Sequence, residues 1–320
     1  MTKISLAMAS LRTTRAILRL RDQVAGRAVA AAKVPLSEVS YDRGAKRLVL
    51  PLLGLRVDPA REDWFLRGYY HAIEVARHAG ARFSRAAGGE IEVDTGQFRA
   101  NVSSEDQLVM LHEIFCCGVY DLRYPGPVVV WDIGMNVGLA SLYFASRGAR
   151  HVVAYEPFEV TYRQALRNFR LNPFLSSVIE AKNAGLGAVA EETNGFLDPN
   201  LPGNSGVSPQ ADIEAGSTQY ARARIRLMDA GEELRELREK FPGLPIAAKI
   251  DCEGAEYGVI NRLIQSKTLR ELSFIMLEWH RRLQDHDPAA LVEALTSGGF
   301  ASIVLSLRSA RYGMLYAARV

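Results

Sequence analysis

Cysteine is scarce: Cys116, Cys117 and Cys252 are the only three among 320 residues. Three thiols cannot build a disulfide framework and their spacing fits no zinc motif, so the expectation is a cytoplasmic protein with reduced structural thiols. Long apolar runs are missing too, and none approaches the roughly 20 residues that a bilayer-spanning helix needs. Charge of one sign is not in excess either, since 39 Lys and Arg against 36 Asp and Glu leave a formal net charge of +3. That margin argues against a nucleic-acid partner, which requires basic residues in excess and clustered on one face. Internal repeats and low-complexity tracts are absent, which sets repeat architectures aside. What is there is the balance of a globular protein, 48% hydrophobic and 23% charged, at a length suited to one catalytic domain with an N-terminal extension.

The extension is read as residues 1–89. Its first 35 residues carry Lys3, Arg12, Arg15, Arg19, Arg21, Arg27 and Lys33 against a single acid, Asp22. Ile17, Leu20, Val24, Ala28 and Ala31 recur at helical spacing, which predicts one basic amphipathic helix. Its alanine-rich stripe favours packing or a partner helix over a weak peripheral membrane contact. Lys46–Leu53 reads as a strand and Arg61–His78 as a helix, with the boundary at Gly88-Gly89. Glu90–Val102 then reads as a hairpin turning at Thr95-Gly96, and Ser103 or Ser104 caps a helix running to about Cys117.

From Pro127 onward short apolar runs alternate with helical stretches, the mark of a mostly parallel sheet covered on both faces. Strands are expected at Val128–Asp132, His151–Glu156, Val178–Ala184, Ile246–Asp251 and Leu272–Leu277, and two late ones at Phe300–Ser306 and Gly313–Ala318. Helices are expected at Gly138–Arg147, Val160–Leu171, Ala255–Gln265 and Pro288–Ser297. Between Gly185 and Ala223 the chain is rich in Gly, Asn, Pro and Ser. It reads as a long loop, preferably a lid or acceptor-binding segment.

The run Trp131-Asp132-Ile133-Gly134-Met135-Asn136-Val137-Gly138 is a strand end, a glycine turn and a helix start, a place where backbone meets ligand closely. Asn136 stands where the dinucleotide fingerprint needs its second glycine. Asp132 would meet a pyrophosphate as a like charge but the ammonium and sulfonium of S-adenosyl-L-methionine as an opposite one. Glu156, followed by Pro157, ends the next strand, where an acid hydrogen-bonds a ribose diol. Asn183 closes the third strand and either reads adenine edges or forms a turn. Helix capping is the alternative use of Asp132 and Glu156.

Three segments in order, Asp132 to Gly138, then Ala154-Tyr155-Glu156-Pro157, then Lys249-Ile250-Asp251-Cys252-Glu253-Gly254-Ala255-Glu256-Tyr257, resemble the FkbM family of methyltransferases. Glu105-Asp106 and Ile114 to Asp121 resemble the segment that leads into the cofactor motif of that family, and the likeness runs from about Glu90 to Leu305. It implies, for residues 90–320, a class I methyltransferase fold with a seven-stranded, mostly parallel sheet and helices on both faces. It further implies S-adenosyl-L-methionine as cofactor and a hydroxyl acceptor on a glycan, polyketide or other small molecule. Met135 departs from the small residue usual at its position, which would narrow the pocket.

The residues also suggest chemistry of their own. Asp251, Glu253 and Glu256 crowd into one turn beside Lys249, and like charges that close raise a carboxylate's affinity for protons, as suits a general base. The alternative is a helix N-terminus complemented by acids. Glu278-Trp279-His280 follows the next strand, so Asp251 or His280 is expected as base, with Glu253 and Glu278 shaping the acceptor site. Asp251, Glu253, Glu278 and His280 could also hold a divalent ion. No compact ligand motif supports this, so no metal is assigned. Nucleotide-dependent oxidoreduction and a non-catalytic binding module are the competing functions.

Overall fold

The computed structural model describes residues 3–121, 126–198, 205–206, 221–281, 283 and 286–319. They form two compact units, 1–118 and 119–320. The division expected at Gly88-Gly89 therefore falls inside the first unit, where these glycines turn the chain between the paired strands Arg82–Arg85 and Ile91–Asp94.

In the first unit the basic segment is two helices, Lys3–Leu20 and Gln23–Ala31, rather than one. The break comes at Arg21, whose φ is +53°, and Asp22 restarts the helix by accepting from the Ala25 amide at 2.9 Å. The interruption resets the helical phase, so Ala25 and Val29 are buried while Val24 is 52% exposed. Arg61–His78 likewise divides into Asp63–Arg67 and Tyr69–Ala79. At the joint, Gly68 packs so tightly that a Cβ would lie 2.5 Å from the Leu108 side chain. The hairpin Ile91–Asp94 and Arg99–Val102 and the helix Glu105–Phe115 stand where the sequence places them. Among the described residues no helix is long and apolar enough to cross a membrane.

The second unit is built on a seven-stranded sheet. In spatial order its strands are Ser302–Leu307, Tyr312–Ala318, Phe274–His280, Ile246–Ile250, Val129–Ile133, His151–Tyr155 and Ile179–Lys182. The last five run parallel, and Tyr312–Ala318 is antiparallel to both its neighbours. The chain thus starts in the middle, steps outward one way, returns and steps outward the other way, finishing with a reversed strand inserted beside the edge. This is the class I methyltransferase fold. Val129, Trp131, Ile133, Ala248, Ile250 and Leu277 are almost wholly buried, as strands covered on both faces require. The switch in direction falls between Val129–Ile133 and Ile246–Ile250, and open α/β sheets bind ligands outside the carboxyl ends of strands at such a point.

The segment expected as a loop from Gly185 to Ala223 is largely sheet at its two ends. Gly185–Gly187 pairs parallel with the end of Ala221–Asp229, and Glu191–Leu197 pairs antiparallel with the same strand. Glycine, asparagine and charged side chains obscure this hairpin, because the pairing is carried by the backbone. The lid expectation falls mainly on residues 199–204 and 207–220, outside the described residues. Ser205 and Gly206 are described, and Gly206 exchanges two backbone hydrogen bonds with Phe196. After this sheet comes the helix Ala230–Lys240, capped by Asp229 through the Gly231 and Glu232 amides.

Candidate active site

A cleft of about 620 Å³ opens at the switch point, lined by Ile133, Gly134, Asn136, Glu156, Pro157, Phe158, Gly185, Leu186, Ser205, Gly206, Leu227, Asp251, Cys252, Glu253 and Ala255. Two turns at adjacent strand ends form its floor, and each is built differently.

In the glycine turn every amide is already engaged. The N–H groups of Gly134 and Met135 both donate to the Tyr155 carbonyl, at 3.1 and 2.8 Å, and that of Gly138 donates to the Met135 carbonyl at 3.0 Å. The Asn136 amide donates to Glu156 Oε2 at 3.0 Å, and the Val137 amide to Asn136 Oδ1 at 2.8 Å. Gly134 and Asn136 both have positive φ, and a Cβ on Gly134 would lie 1.7 Å from the Asp251 carbonyl oxygen. The glycine is needed so that the two turns can touch. Gly138 does not line the cleft; it packs against Phe169 and starts the next helix.

Asp132 does not reach the cleft. It is fully buried, accepts from Ser141 Oγ at 2.6 Å, and lies 3.3 Å from Lys249 Nζ. The expectation that its charge would repel a pyrophosphate is therefore corrected, because the Lys249 ammonium neutralises it. The case against a pyrophosphate passes to the turn itself, which has no amide left to donate. Met135 is buried outside the cleft and narrows nothing. Asn183 stands outside the cleft as well; its side-chain amide donates to the Glu156 and Pro157 carbonyls, at 2.9 and 3.2 Å, fixing the bend that carries Glu156.

Glu156 faces the cleft, 6% exposed. Each carboxylate oxygen accepts one amide, Oε1 from Phe158 at 2.9 Å and Oε2 from Asn136. Each keeps a lone pair for a second donor. Burial pushes its pKa up to about 7, against the pull of these two hydrogen bonds.

The acid turn is different. Lys249, buried between the turns, donates to the Gly134 carbonyl and lies 3.6 Å from Asp251 Oδ2, which Tyr120 also approaches at 3.4 Å. Asp132 and Asp251 hold the Lys249 ammonium above its ordinary range although burial opposes the charge. Asp251 and Glu253 line the cleft; His280 stands behind Glu253, its Nε2 3.6 Å from Glu253 Oε2. Glu256, fully buried, accepts from the Gly254 amide at 2.7 Å and the His280 amide at 2.6 Å, and its Oε1 lies 3.3 Å from His280 Nδ1. Donor atoms of Asp251, Glu253 and His280 all lie within 4.8 Å of one another.

Burial favours neutral His280, but Glu253 and Glu256 outweigh it and push the pKa up to about 10. His280 does not line the cleft, so of the two expected bases Asp251 is the one that faces it. Glu278 lies on the same strand as His280 but neither lines the cleft nor joins the cluster. The expectation that it shapes the acceptor site is not supported by this placement. Sequence reasoning did not single out Tyr120, Phe158, Leu186 or Leu227. Tyr120 stands 131 residues from Asp251, and nothing in the sequence signals their meeting.

Residues 132–302 match the Methyltransferase FkbM domain. The chain is 34% identical over 165 residues to methyltransferase sdnD of Sordaria araneosa, covering 51% of this chain and 58% of that protein. It is 32% identical over 149 residues to the AMB antimetabolite synthetase AmbE of Pseudomonas aeruginosa, covering 45% of this chain and 7% of that protein. Among solved structures, the FkbM methyltransferase of Methylobacillus flagellatus KT is similar at 14% identity and a TM-score of 0.40, over 79% of this chain and 59% of that one. With the family matched across the sheet's switch point and both turns of the cleft, the chain belongs to the FkbM methyltransferase family.

Proposed function

We propose that the protein transfers a methyl group from S-adenosyl-L-methionine to a hydroxyl of a glycan or secondary metabolite. The observation that carries the reading is the division of the cleft into an apolar part closed by Glu156 and an acidic part formed by Asp251 and Glu253. Family membership supports the cofactor, and the residues fit it. Ile133, Phe158, Leu186 and Leu227 offer apolar walls for an adenine ring. Glu156 has a lone pair on each oxygen for a ribose diol. The bound cofactor supplies an electrophilic methyl on a sulfonium.

The chain's own contribution is to place the acceptor and manage its proton. Asp251 is held from one side, where Lys249 and Tyr120 both address Oδ2. Oδ1 takes no hydrogen bond among the described residues and is the oxygen assigned to the acceptor hydroxyl. An in-line displacement gains most from positioning, and a base within about 3 Å of the hydroxyl contributes roughly 100-fold to 10,000-fold. Asp251→Asn keeps the shape and removes the base. It is expected to lower turnover by at least about 100-fold at saturating acceptor while S-adenosylhomocysteine affinity stays within a few-fold. Methyl transfer from radiolabelled cofactor to a panel of polyols and hydroxylated metabolites tests this. Full turnover by the variant, or transfer to amines alone, would overturn the assignment.

A further inference from the structure

The acid turn gathers its ionisable side chains closely. Four carboxylates, Asp132, Asp251, Glu253 and Glu256, surround one ammonium, Lys249, and one imidazole, His280. Of these, Lys249 is committed to Asp132, Asp251 and the Gly134 carbonyl. The His280 side chain is only 9% exposed, yet neither ring nitrogen completes a hydrogen bond among the described residues. Nδ1 lies near Glu256 without a completed bond, and Nε2 stops 3.6 Å short of Glu253 Oε2. A buried imidazole left unsatisfied calls for an explanation such as an ion.

The spacing supplies one. Around an octahedral cation with bonds of about 2.1 Å, adjacent donor atoms sit about 3 Å apart and opposite ones about 4.2 Å. Donor atoms of Asp251, Glu253 and His280 fall within 4.8 Å of one another, the His280 to Glu253 pair at 3.6 Å. Closing the His280 to Glu253 pair from 3.6 Å to about 3 Å brings it to adjacent spacing. Behind the histidine, Glu256 is placed to receive Nδ1–H, the carboxylate that fixes tautomer and ring orientation behind a metal-bound imidazole.

We propose that Asp251, Glu253 and His280 bind a divalent cation of the Mn2+ type beside the cleft, with Glu256 orienting the imidazole. One nitrogen and two carboxylates suit a first-row ion of intermediate hardness better than Ca2+, which takes oxygen ligands. The role rests on the methyl-transfer reading and narrows it. Three protein ligands leave coordination positions for the acceptor, so the site selects molecules with oxygens on adjacent atoms, a vicinal diol or a hydroxy acid. A hydroxyl held by the cation is also made more acidic.

The test is a titration of the full chain with Mn2+ alone, followed by the electron paramagnetic resonance signal of the free ion. One Mn2+ per chain is expected to bind at about 100 µM metal. Glu253→Gln and Asp251→Asn should each weaken it at least about tenfold, and Glu156→Gln should leave it unchanged. Thermal melting identifies the variants that fold, and the parent's titration stands without them. No stoichiometric Mn2+ on the parent, or binding that survives both substitutions at the cluster, overturns the proposal. S-adenosylhomocysteine affinity, measured in EDTA, separates the two readings. Its loss in Glu253→Gln, with no Mn2+ bound by the parent, would give the acids to the cofactor's cationic end instead. Failure of the parent to bind S-adenosylhomocysteine would overturn the methyl-transfer reading whatever the Mn2+ result.

Discussion

The two turns at the ends of Val129–Ile133 and Ile246–Ile250 are neighbours in register, Ile133 beside Ile250, yet they do opposite work. The glycine turn is a closed frame, with its amides spent on Tyr155, Glu156, Asn136 and Met135 and its Asp132 neutralised by Lys249. The acid turn is open, presenting Asp251 and Glu253 to the cleft in front of a buried histidine. The glycines of the motif serve the packing of backbone on backbone. On the proposed reading, chemistry falls on the turn that this packing holds in place. Lys249 joins the two, reaching Asp132 and the Gly134 carbonyl on one side and Asp251 on the other.

The sharpest way to break this arrangement is Gly134→Ala. Its Cβ would meet the Asp251 carbonyl oxygen at 1.7 Å, backbone that cannot swing aside, at a φ of +82°. The expected loss is about 5 kcal/mol or failure to fold. Gly138→Ala shares the positive φ, at +83°, but meets the Phe169 ring, a side chain able to yield, and should cost about 1–3 kcal/mol. Equal losses in urea denaturation would remove the contrast between a backbone and a side-chain contact.

Removing the link is next in size. Lys249→Met leaves Asp132 charged and buried without its ammonium, which is expected to cost about 3–5 kcal/mol. The double variant with Asp132→Asn should recover part of it. Additive losses in the double variant would show that the pair is not coupled.

Glu156 offers a pH test of the frame. Its folded pKa, raised by burial from 4.5 to about 7, favours the folded state fully below the unfolded value and loses that contribution as pH rises through about 7. Between pH 5 and pH 8 the parent should therefore lose about 3 kcal/mol more stability than Glu156→Gln. Parallel stability curves for parent and variant would mean that Glu156 is not strained by burial. The smallest effect expected is on affinity: Glu156→Ala should weaken S-adenosylhomocysteine by about 1.5–3 kcal/mol in calorimetry. Unchanged binding would leave Glu156 as a brace for the Asn136 and Phe158 amides.

Much of the second unit was legible because its strands are apolar on both faces and its helices begin where glycine or proline permits. Pro288–Ser297 stands at the expected residues, and the ends of the parallel strands shift by no more than three. The three-stranded sheet around Glu191–Leu197 was not legible, because pairing there is by backbone alone under polar side chains. The helix breaks at Arg21 and Gly68 were hidden for another reason. A positive φ at an arginine and a glycine packed on Leu108 are set by tertiary contacts rather than by periodicity. At the site, the sequence brought Asp251, Glu253 and Glu256 together because they share one turn. Asp132 was misjudged because a strand end does not disclose whether its side chain faces ligand or a buried lysine on the next strand. His280 was placed on the right strand, but its proton depends on Glu253 and Glu256, whose approach only the fold determines.

The central claim is that the glycine turn is closed to pyrophosphate and that the cleft it floors takes a cofactor with an adenosine end and a cationic end. Titration calorimetry of the parent protein with S-adenosylmethionine, S-adenosylhomocysteine and NAD, each alone, tests it most directly. The account requires saturable binding of the first two and none of NAD. Saturable binding of NAD with no response to either adenosyl compound would contradict it.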